Sequence, residues 1–454
     1  MEEIRQRRLL MVPAPFEGHL PSMMNLASYL FSQGISVTIV QTQFNLKDLS
    51  ASFPDLNFFT IKDGMSESDM KSLGLLEFIL RLNSICEPIL KEFLTIHDDV
   101  DSIIYDEFVY FPRGVAEIFI CPRWSLVLLR PLLRSAGACL WITKQKGYFL
   151  HKSFSTTEAI SQLEEMMPEF HPFRFKDLPV TAYGSMERLM ILYENVSNRS
   201  LSSGIIHNSS NCLESSFIST GQANWRVPVY PVGPLHMTNP ATSCPSLFDE
   251  ERNCLEWLEK QETNSVIYIS MGSLAMTQEI EALEMAMGFV ESNQPFLWVI
   301  RPGSIIGQES LDFLPEQFRQ TVTDGRGFVV QWAPQKEVLR HRAVGGFWNH
   351  CGWNSCLESI SSGVPMICMP YSGDQKVNAR LMSHVWQTAF EIEGKLERGI
   401  VEIAVRRLIV DHEGVEMRTR AIGLKVEIEA SVRIGGSSHS SLNSLVDSIM
   451  SLTS

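Results

Sequence analysis

The opening stretch already restricts this chain to one kind of sheet. Arg7 to Ala14 (RRLLMVPA) reads as a strand, Pro21 to Gly34 (PSMMNLASYLFSQG) as a helix stopped by glycine, and Ile35 to Thr42 (ISVTIVQT) as a second strand. Parallel strands cannot be joined by a tight turn, so strand, crossover helix and strand in close succession is the βαβ unit of a parallel sheet. Further on, Leu75 to Leu94 reads as a long buried helix interrupted near Pro88, and Ser102 to Asp106 (SIIYD) as a short strand. Asp106 then falls at that strand's carboxyl end.

A second series of the same kind begins near Ser265. SVIYISMGS runs as a strand into a Gly-Ser turn, and the helix that follows carries Ile280, Leu283, Met287 and Val290 on one face. PFLWVIR, GFVVQWAP, AVGGFWNH and VPMICMP are further strands, each separated by a helix. Between the two series lies VPVYPVGPLHMTNPATSCPSLFDEE, whose prolines fit a linker. The expected architecture is therefore α/β, with two Rossmann-like, doubly wound parallel-sheet domains. An N-terminal domain spans 1–235, a linker 236–255, a C-terminal domain 256–435 and a helical tail 436–454. Ligands of open α/β sheets sit outside the carboxyl ends of the strands, so two such domains suggest a cleft between them.

Composition narrows the partners. A formal charge of −14 repels polyanions, which disfavours nucleic acid. The apolar run before Pro13 is too short for a secretory signal, and no run is long enough to cross a membrane. Nine cysteines, odd in number and without a CxxC pair, are the usage of a reduced cytoplasmic protein. The glycosylation-type triplets at Asn195, Asn198 and Asn208 are read as surface coincidences.

Gly345 to Pro365 (GGFWNHCGWNSCLESISSGVP) concentrates residue types that invite a metal or a reactive thiol. His350 and Cys351 are adjacent and would point to opposite faces of a strand, and the spacing to Cys356 matches no common zinc pattern. A strand, a glycine turn and a helix stopped by Gly363 place backbone N–H groups and a positive dipole end at the sheet's edge, which suits an anion. His350, and Ser273 in the earlier MGSLA turn, stand where they could donate to a phosphate. Neither turn has the glycine pattern of a dinucleotide fold or a P-loop, so a diphosphate of another kind is expected.

Trp332 to Gln375 (WAPQKEVLRHRAVGGFWNHCGWNSCLESISSGVPMICMPYSGDQ) closely resembles, without a gap, the signature of plant UDP-dependent glycosyltransferases of small molecules. The resemblance extends over nearly the whole chain and implies the GT-B architecture, in which the two domains face each other. It implies that Trp332 stacks on the uracil beside Ala333 and Gln335, and that Glu358 accepts hydrogen bonds from the ribose hydroxyls. By the same resemblance His350, Asn354, Ser355 and Ser273 hold the diphosphate, and Asp374 and Gln375, with the Trp353 backbone, bind the sugar. A glutamine at the end of the signature goes with UDP-glucose. PFEGHLP resembles the catalytic-histidine turn, making His19 the general base, with Asp106 as its orienting partner.

The implied reaction is an inverting glucosyl transfer giving β-glucosides of small plant metabolites or hormones, flavonoids and phenolics first. It requires no metal and no cofactor beyond the donor. Phe16, Phe108, Tyr110 and Tyr371 are expected as acceptor walls, and the chain is expected to be a cytoplasmic monomer. Glu17, Asn349, Cys356 and Thr388 depart from the usual family residues, as does the segment 121–149, where Arg130-Pro131 interrupts the run and Ser135 offers a replacement hydroxyl. That segment leaves open a UDP-sugar-binding protein with little transferase activity; a nucleotide-sugar epimerase is the third reading.

Overall fold

A computed structural model describes residues 6–119, 122–127, 164–167, 171–178, 186–197, 202–225, 227–238 and 244–452. The atypical segment beginning at 121 lies outside them except for 122–127, and so do Arg130, Pro131 and Ser135. The described residues form two compact units.

The first unit holds a seven-stranded parallel sheet of β1 (Arg8–Val12), β2 (Ser36–Thr42), β3 (Asn57–Ile61), β4 (Ser102–Asp106), β5 (Arg123–Val127), β6 (Gly204–His207) and β7 (Val229–Pro231). Its order is β3-β2-β1-β4-β5-β6-β7. The chain thus works outward from β1 in one direction and restarts at β4 in the other, so the switch point lies between β1 and β4. Burial on both faces explains the near-continuous apolar strands. Leu9 and Met11 of β1 enter one core with Leu26 and Leu30 of α1 (Leu20–Ser32), while Leu10 and Val12 enter the other with Phe78, Leu82 and Leu90 of α2 (Leu75–Ile96).

Helix α2 runs through Pro88 rather than breaking there. Pro88 and Ser84, whose carbonyl loses its partner, are both on the exposed side, where water can satisfy the freed group while the buried face stays packed. The start of the proline-rich stretch is likewise built into the fold: Val229–Pro231 is an edge strand, a place in a sheet where proline costs little, and Val232 and Leu235 are buried. Asn208 is not at the surface. It is 1% exposed, donates to Ser22 and accepts the Leu235 N–H, so that triplet is a packing feature.

The second unit holds a six-stranded parallel sheet of β8 (Val266–Ser270), β9 (Phe296–Val299), β10 (Gly327–Val330), β11 (Val344–Asn349), β12 (Met366–Cys368) and β13 (Ala389–Glu391), ordered β10-β9-β8-β11-β12-β13. Its switch point lies between β8 and β11. Ile267, Ile269, Trp298 and Trp348 pack against Phe289 on one side helix and Val405 and Leu408 on another. Helix α4 (Trp353–Ser362) follows β11 and helix α5 (Gln375–Arg380) follows β12; α3 (Phe111–Phe119) follows β4 in the first unit.

One unit boundary falls at 247/248, inside the expected linker 236–255, and the other at 427/428, short of the expected 435. Residues 164–167 and 171–178 belong to the second unit. The last helices, α6 (His412–Val432) and α7 (Ser437–Met450), carry the chain back: Leu442, Leu445 and Ile449 complete the first unit's core instead of forming a separate tail. Among the described residues no helix is long and apolar enough to cross a membrane.

Candidate active site

Each sheet presents a constellation at its own switch point, where polar groups at strand ends have room to meet a ligand. In the first unit, β1 and β4 are direct neighbours, with Val12 opposite Tyr105. The turn after β1 is closed by the His19 N–H on the Phe16 carbonyl at 2.9 Å, and His19 becomes the N-cap of α1. Its ring does not cap the helix. Nδ1 lies 2.8 Å from Oδ2 of Asp106, the last residue of β4 and fully buried.

Asp106 Oδ1 accepts the Phe108 N–H at 3.0 Å, so both carboxylate oxygens are committed and the side chain is fixed. A carboxylate can only accept, which assigns the Nδ1 proton to this contact and leaves the lone pair on Nε2. The loop after β4 is itself pinned: Asn83 of α2 donates to the Phe108 carbonyl at 2.8 Å and accepts the Phe111 N–H at 2.9 Å. Phe16 and Phe108 flank the imidazole, at ring-centroid distances of 6.0 and 5.1 Å. Tyr110 is half-buried on the same loop, facing Arg113, and burial raises its hydroxyl pKa. Glu107, the neighbouring acid, is buried. Tyr371 is exposed and belongs to the second unit, so the structure does not group it with the other three aromatics.

Glu17 has a role that sequence reading missed. Its carboxylate accepts Ser246 Oγ at 2.8 Å and the Leu247 N–H at 2.7 Å, latching the histidine turn to the end of the proline-rich stretch. A glutamine could not accept both with equal strength, which gives the unusual acid a physical reason.

In the second unit, Asn349 ties the switch-point strands together. Its Nδ2 donates to the Ser270 carbonyl at 2.6 Å and its Oδ1 accepts the Cys351 N–H at 2.8 Å, supporting Cys351 at φ +65°. A serine or threonine could not span both, so this departure also has a local function. Asn378 of α5 then donates to the Cys351 carbonyl at 2.9 Å and to Asp374 Oδ2 at 2.8 Å. The turn after β11 and the start of α5 are therefore one hydrogen-bonded piece.

His350 lies between two glycines. A Cβ on Gly272, at φ +76°, would stand 2.4 Å from the ring, and one on Gly352 would stand 2.7 Å from Nε2. The imidazole can occupy this place only because both neighbours lack side chains. Nδ1 is buried without a hydrogen-bond partner, and burial pushes the pKa from 6.5 down to about 4. The ring is thus neutral near pH 7. Ser273 is half-buried beside Gly272, and Asn354 and Ser355 are half-buried in the first turn of α4.

Two expected outcomes follow from this cradle. Gly272→Ala should displace His350 and raise KM for the donor by about tenfold to a hundredfold, the scale of ångström-level misplacement; steady-state kinetics measure it. Because the unfolded histidine takes up a proton as pH falls through 6.5 and the folded one only near 4, stability from His350 is complete above 6.5 and declines from there toward 4. Denaturant midpoints measured over that window should fall with pH, less steeply in His350→Gln.

Gln335 links the neighbouring residues, its Nε2 donating to Ser355 Oγ at 3.0 Å and to Glu358 Oε2 at 2.8 Å. Trp332 is half-buried, with the Phe248 ring 4.5 Å away, while Ala333 is buried and can offer a ligand only its backbone. Trp353 is also buried, its ring beside Trp386. Gln375 Oε1 accepts the Tyr371 and Ser372 N–H groups, both at 2.7 Å, so the amide's acceptor is used internally and its donors are what it can present. Cys351, Cys356 and Cys368 are free and fully buried, and burial, reinforced by the other two, pushes the Cys351 thiol well up. Among the described residues no three His, Cys, Asp or Glu side chains are grouped to hold a metal.

The sequence model described as "UDP-glucoronosyl and UDP-glucosyl transferase" matches residues 234–419. The chain is 76% identical to UDP-glycosyltransferase 76D1 of Arabidopsis thaliana over 453 residues, 99% of each chain. It is 47% identical to the flavonol 3-O-glucosyltransferase UGT76E12 of the same plant, across 100% of this chain and 99% of that one. Among solved structures, Phytolacca americana UGT2 complexed with UDP-2-fluoro-glucose and pterostilbene aligns over 98% of this chain and 99% of its own, with a TM-score of 0.81 and 26% identity. Medicago truncatula UGT71G1 shares the fold at a TM-score of 0.83 and 23% identity, over 98% of this chain and 99% of its own.

Proposed function

Since the chain belongs to the plant UDP-dependent glycosyltransferases of small molecules, a family of two-domain GT-B enzymes, we propose that it transfers glucose from UDP-glucose to a hydroxyl of a flavonol or related phenolic. The product is a β-O-glucoside. The observation that carries the mechanism is the 2.8 Å contact between His19 and Asp106 at the first sheet's switch point. His19 Nε2 takes the proton of the acceptor hydroxyl, and Asp106 stabilises the imidazolium that forms.

The acceptor oxygen attacks the anomeric carbon from the face opposite UDP, whose departure inverts an α-linked donor to a β-glycoside. Charge gathers on the diphosphate as that bond breaks. His350, Ser273, Asn354, Ser355 and the N–H groups opening α4 receive it, already oriented before the reaction begins. Trp332, Ala333, Gln335 and Glu358 hold the uridine; Asp374, Gln375 and the Trp353 backbone hold the sugar. Phe16, Phe108 and Tyr110 wall the acceptor. No step draws on a metal or a second cofactor.

The flavonol assignment draws support from the relative of that name at 47% identity, and the donor assignment from Gln375. Purified protein incubated with UDP-glucose and flavonols, simple phenols, carboxylic acids and purines tests both. The expected result is UDP plus a flavonol glucoside with a β anomeric coupling constant. Glucose esters or purine glucosides alone would overturn the acceptor class, and transfer from UDP-galactose in preference would overturn the donor.

A further inference from the structure

Residues 164–167 and 171–178, drawn from the N-terminal half of the chain, sit in the second unit against the helix that carries the proposed sugar contacts. We infer that this segment is a buttress for α5, and that Arg174 and Asp177 are positioning residues for the sugar half of the donor site. The inference rests on the functional reading above and adds residues that reading does not use.

The contact is densely built. Asp177, 2% exposed, receives Arg174 through Nε at 3.1 Å, Nη2 at 2.9 Å and the backbone N–H at 2.8 Å. Arg174 also meets Glu164 and Glu393, each at 3.3 Å, and Glu391 at 3.8 Å. Lys176 joins Glu164 at 2.7 Å and Glu393 at 3.2 Å. From the other side comes Arg380, the last residue of α5 and 7% exposed. Its Nε donates to the Pro172 carbonyl at 2.8 Å and lies 3.7 Å from Asp177, and its Nη2 approaches Met166 Sδ at 3.8 Å. Charges this well buried are tolerated only when each has its partners, so the geometry is closely specified.

What this geometry reaches is the opposite end of α5. That helix is about 9 Å long at 1.5 Å per residue, with Asp374 as N-cap and Gln375 as its first residue. Asn378, between the two ends, holds Asp374 and the Cys351 carbonyl. Close-packed elements move as units, so a shift at Arg380 is carried to Asp374 and Gln375 rather than absorbed. The uridine contacts, on Trp332 and Glu358, lie on other elements, and the phosphate turn at His350 meets α5 through the Asn378 bond to the Cys351 carbonyl, so a shift of α5 should reach UDP far less than the sugar.

That separation supplies the test. Binding of UDP and of UDP-glucose is measured by calorimetry, alongside steady-state kinetics, for wild type, Asp177→Asn and Arg174→Lys. In Asp177→Asn, Kd and KM for UDP-glucose should rise roughly tenfold and Kd for UDP by no more than about twofold, sizes within the range for residues acting through a packed network, while kcat at saturating donor stays nearly constant. Arg174→Lys keeps the charge but loses the forked contact, and should move the same quantities by about threefold; it carries the comparison if Asp177→Asn does not fold. Equal weakening of UDP and UDP-glucose, or unchanged UDP-glucose affinity in both variants, overturns the inference. Wild-type protein that binds UDP-glucose no better than Asp374→Ala does would overturn the sugar-site reading itself, before any buttress variant is compared.

Discussion

Replacing His19 with alanine should lower kcat by about 10³- to 10⁴-fold, the upper part of the range for losing a positioned base, and leave UDP affinity unchanged. The reason is spatial as well as chemical. His19 lies in the first unit with its partner Asp106, whereas Trp332, His350 and Glu358 lie in the second. Removing the imidazole takes away the group proposed to accept the proton and removes no residue expected to hold the nucleotide. Turnover of a flavonol monitored by chromatography, with UDP binding measured by calorimetry on the same sample, separates the two. Retention of near wild-type glucosylation would remove His19 from the chemistry.

The second large effect is expected from Asp106→Asn, on the order of 10²-fold or more in kcat, by the logic of a base held in the wrong tautomer. The surroundings dictate which way the new amide faces. Oδ1 of Asp106 accepts the Phe108 N–H, and an asparagine would keep its oxygen there, turning its NH₂ toward His19 Nδ1. Nδ1 must then accept, the proton moves to Nε2, and the nitrogen meant to take the acceptor's proton no longer can. Asp106→Ala would leave the ring free to choose its tautomer and should be less damaging than its size suggests. An asparagine variant as active as wild type would show that the carboxylate has no orienting role.

The sheets were legible because their strands are buried on both faces. Leu9 to Val12 is apolar at every position since odd and even residues enter different cores. The candidate site was legible because most of it is contiguous: Trp332 to Gln375 supplies the second unit's residues except Ser273 in one run, while Asp106 ends β4 and His19 opens the helix that follows the neighbouring β1. What was not legible depends on distant partners. Leu442, Leu445 and Ile449 announce an apolar helix face but not the core that receives it. Glu17 gives no sign of Ser246, nor Asp177 of Arg380. Asn208 matches a surface triplet, and only the Leu235 and Ser22 contacts reveal it as buried.

The return of α7 to the first unit bears on how such enzymes can be recombined. Cutting the chain once, near Leu247, does not yield two self-sufficient modules, because the first would lack Leu442, Leu445 and Ile449 and the second would lack the buttress residues Arg174 and Asp177. A chimera built by joining the front of this protein to the back of a relative at that single point inherits a foreign helix in one core and a foreign buttress partner beneath the other. The units themselves can be exchanged cleanly only by trading Phe248 to Glu427 as an insert, with a second junction inside α6 and Arg174 and Asp177 carried along with it.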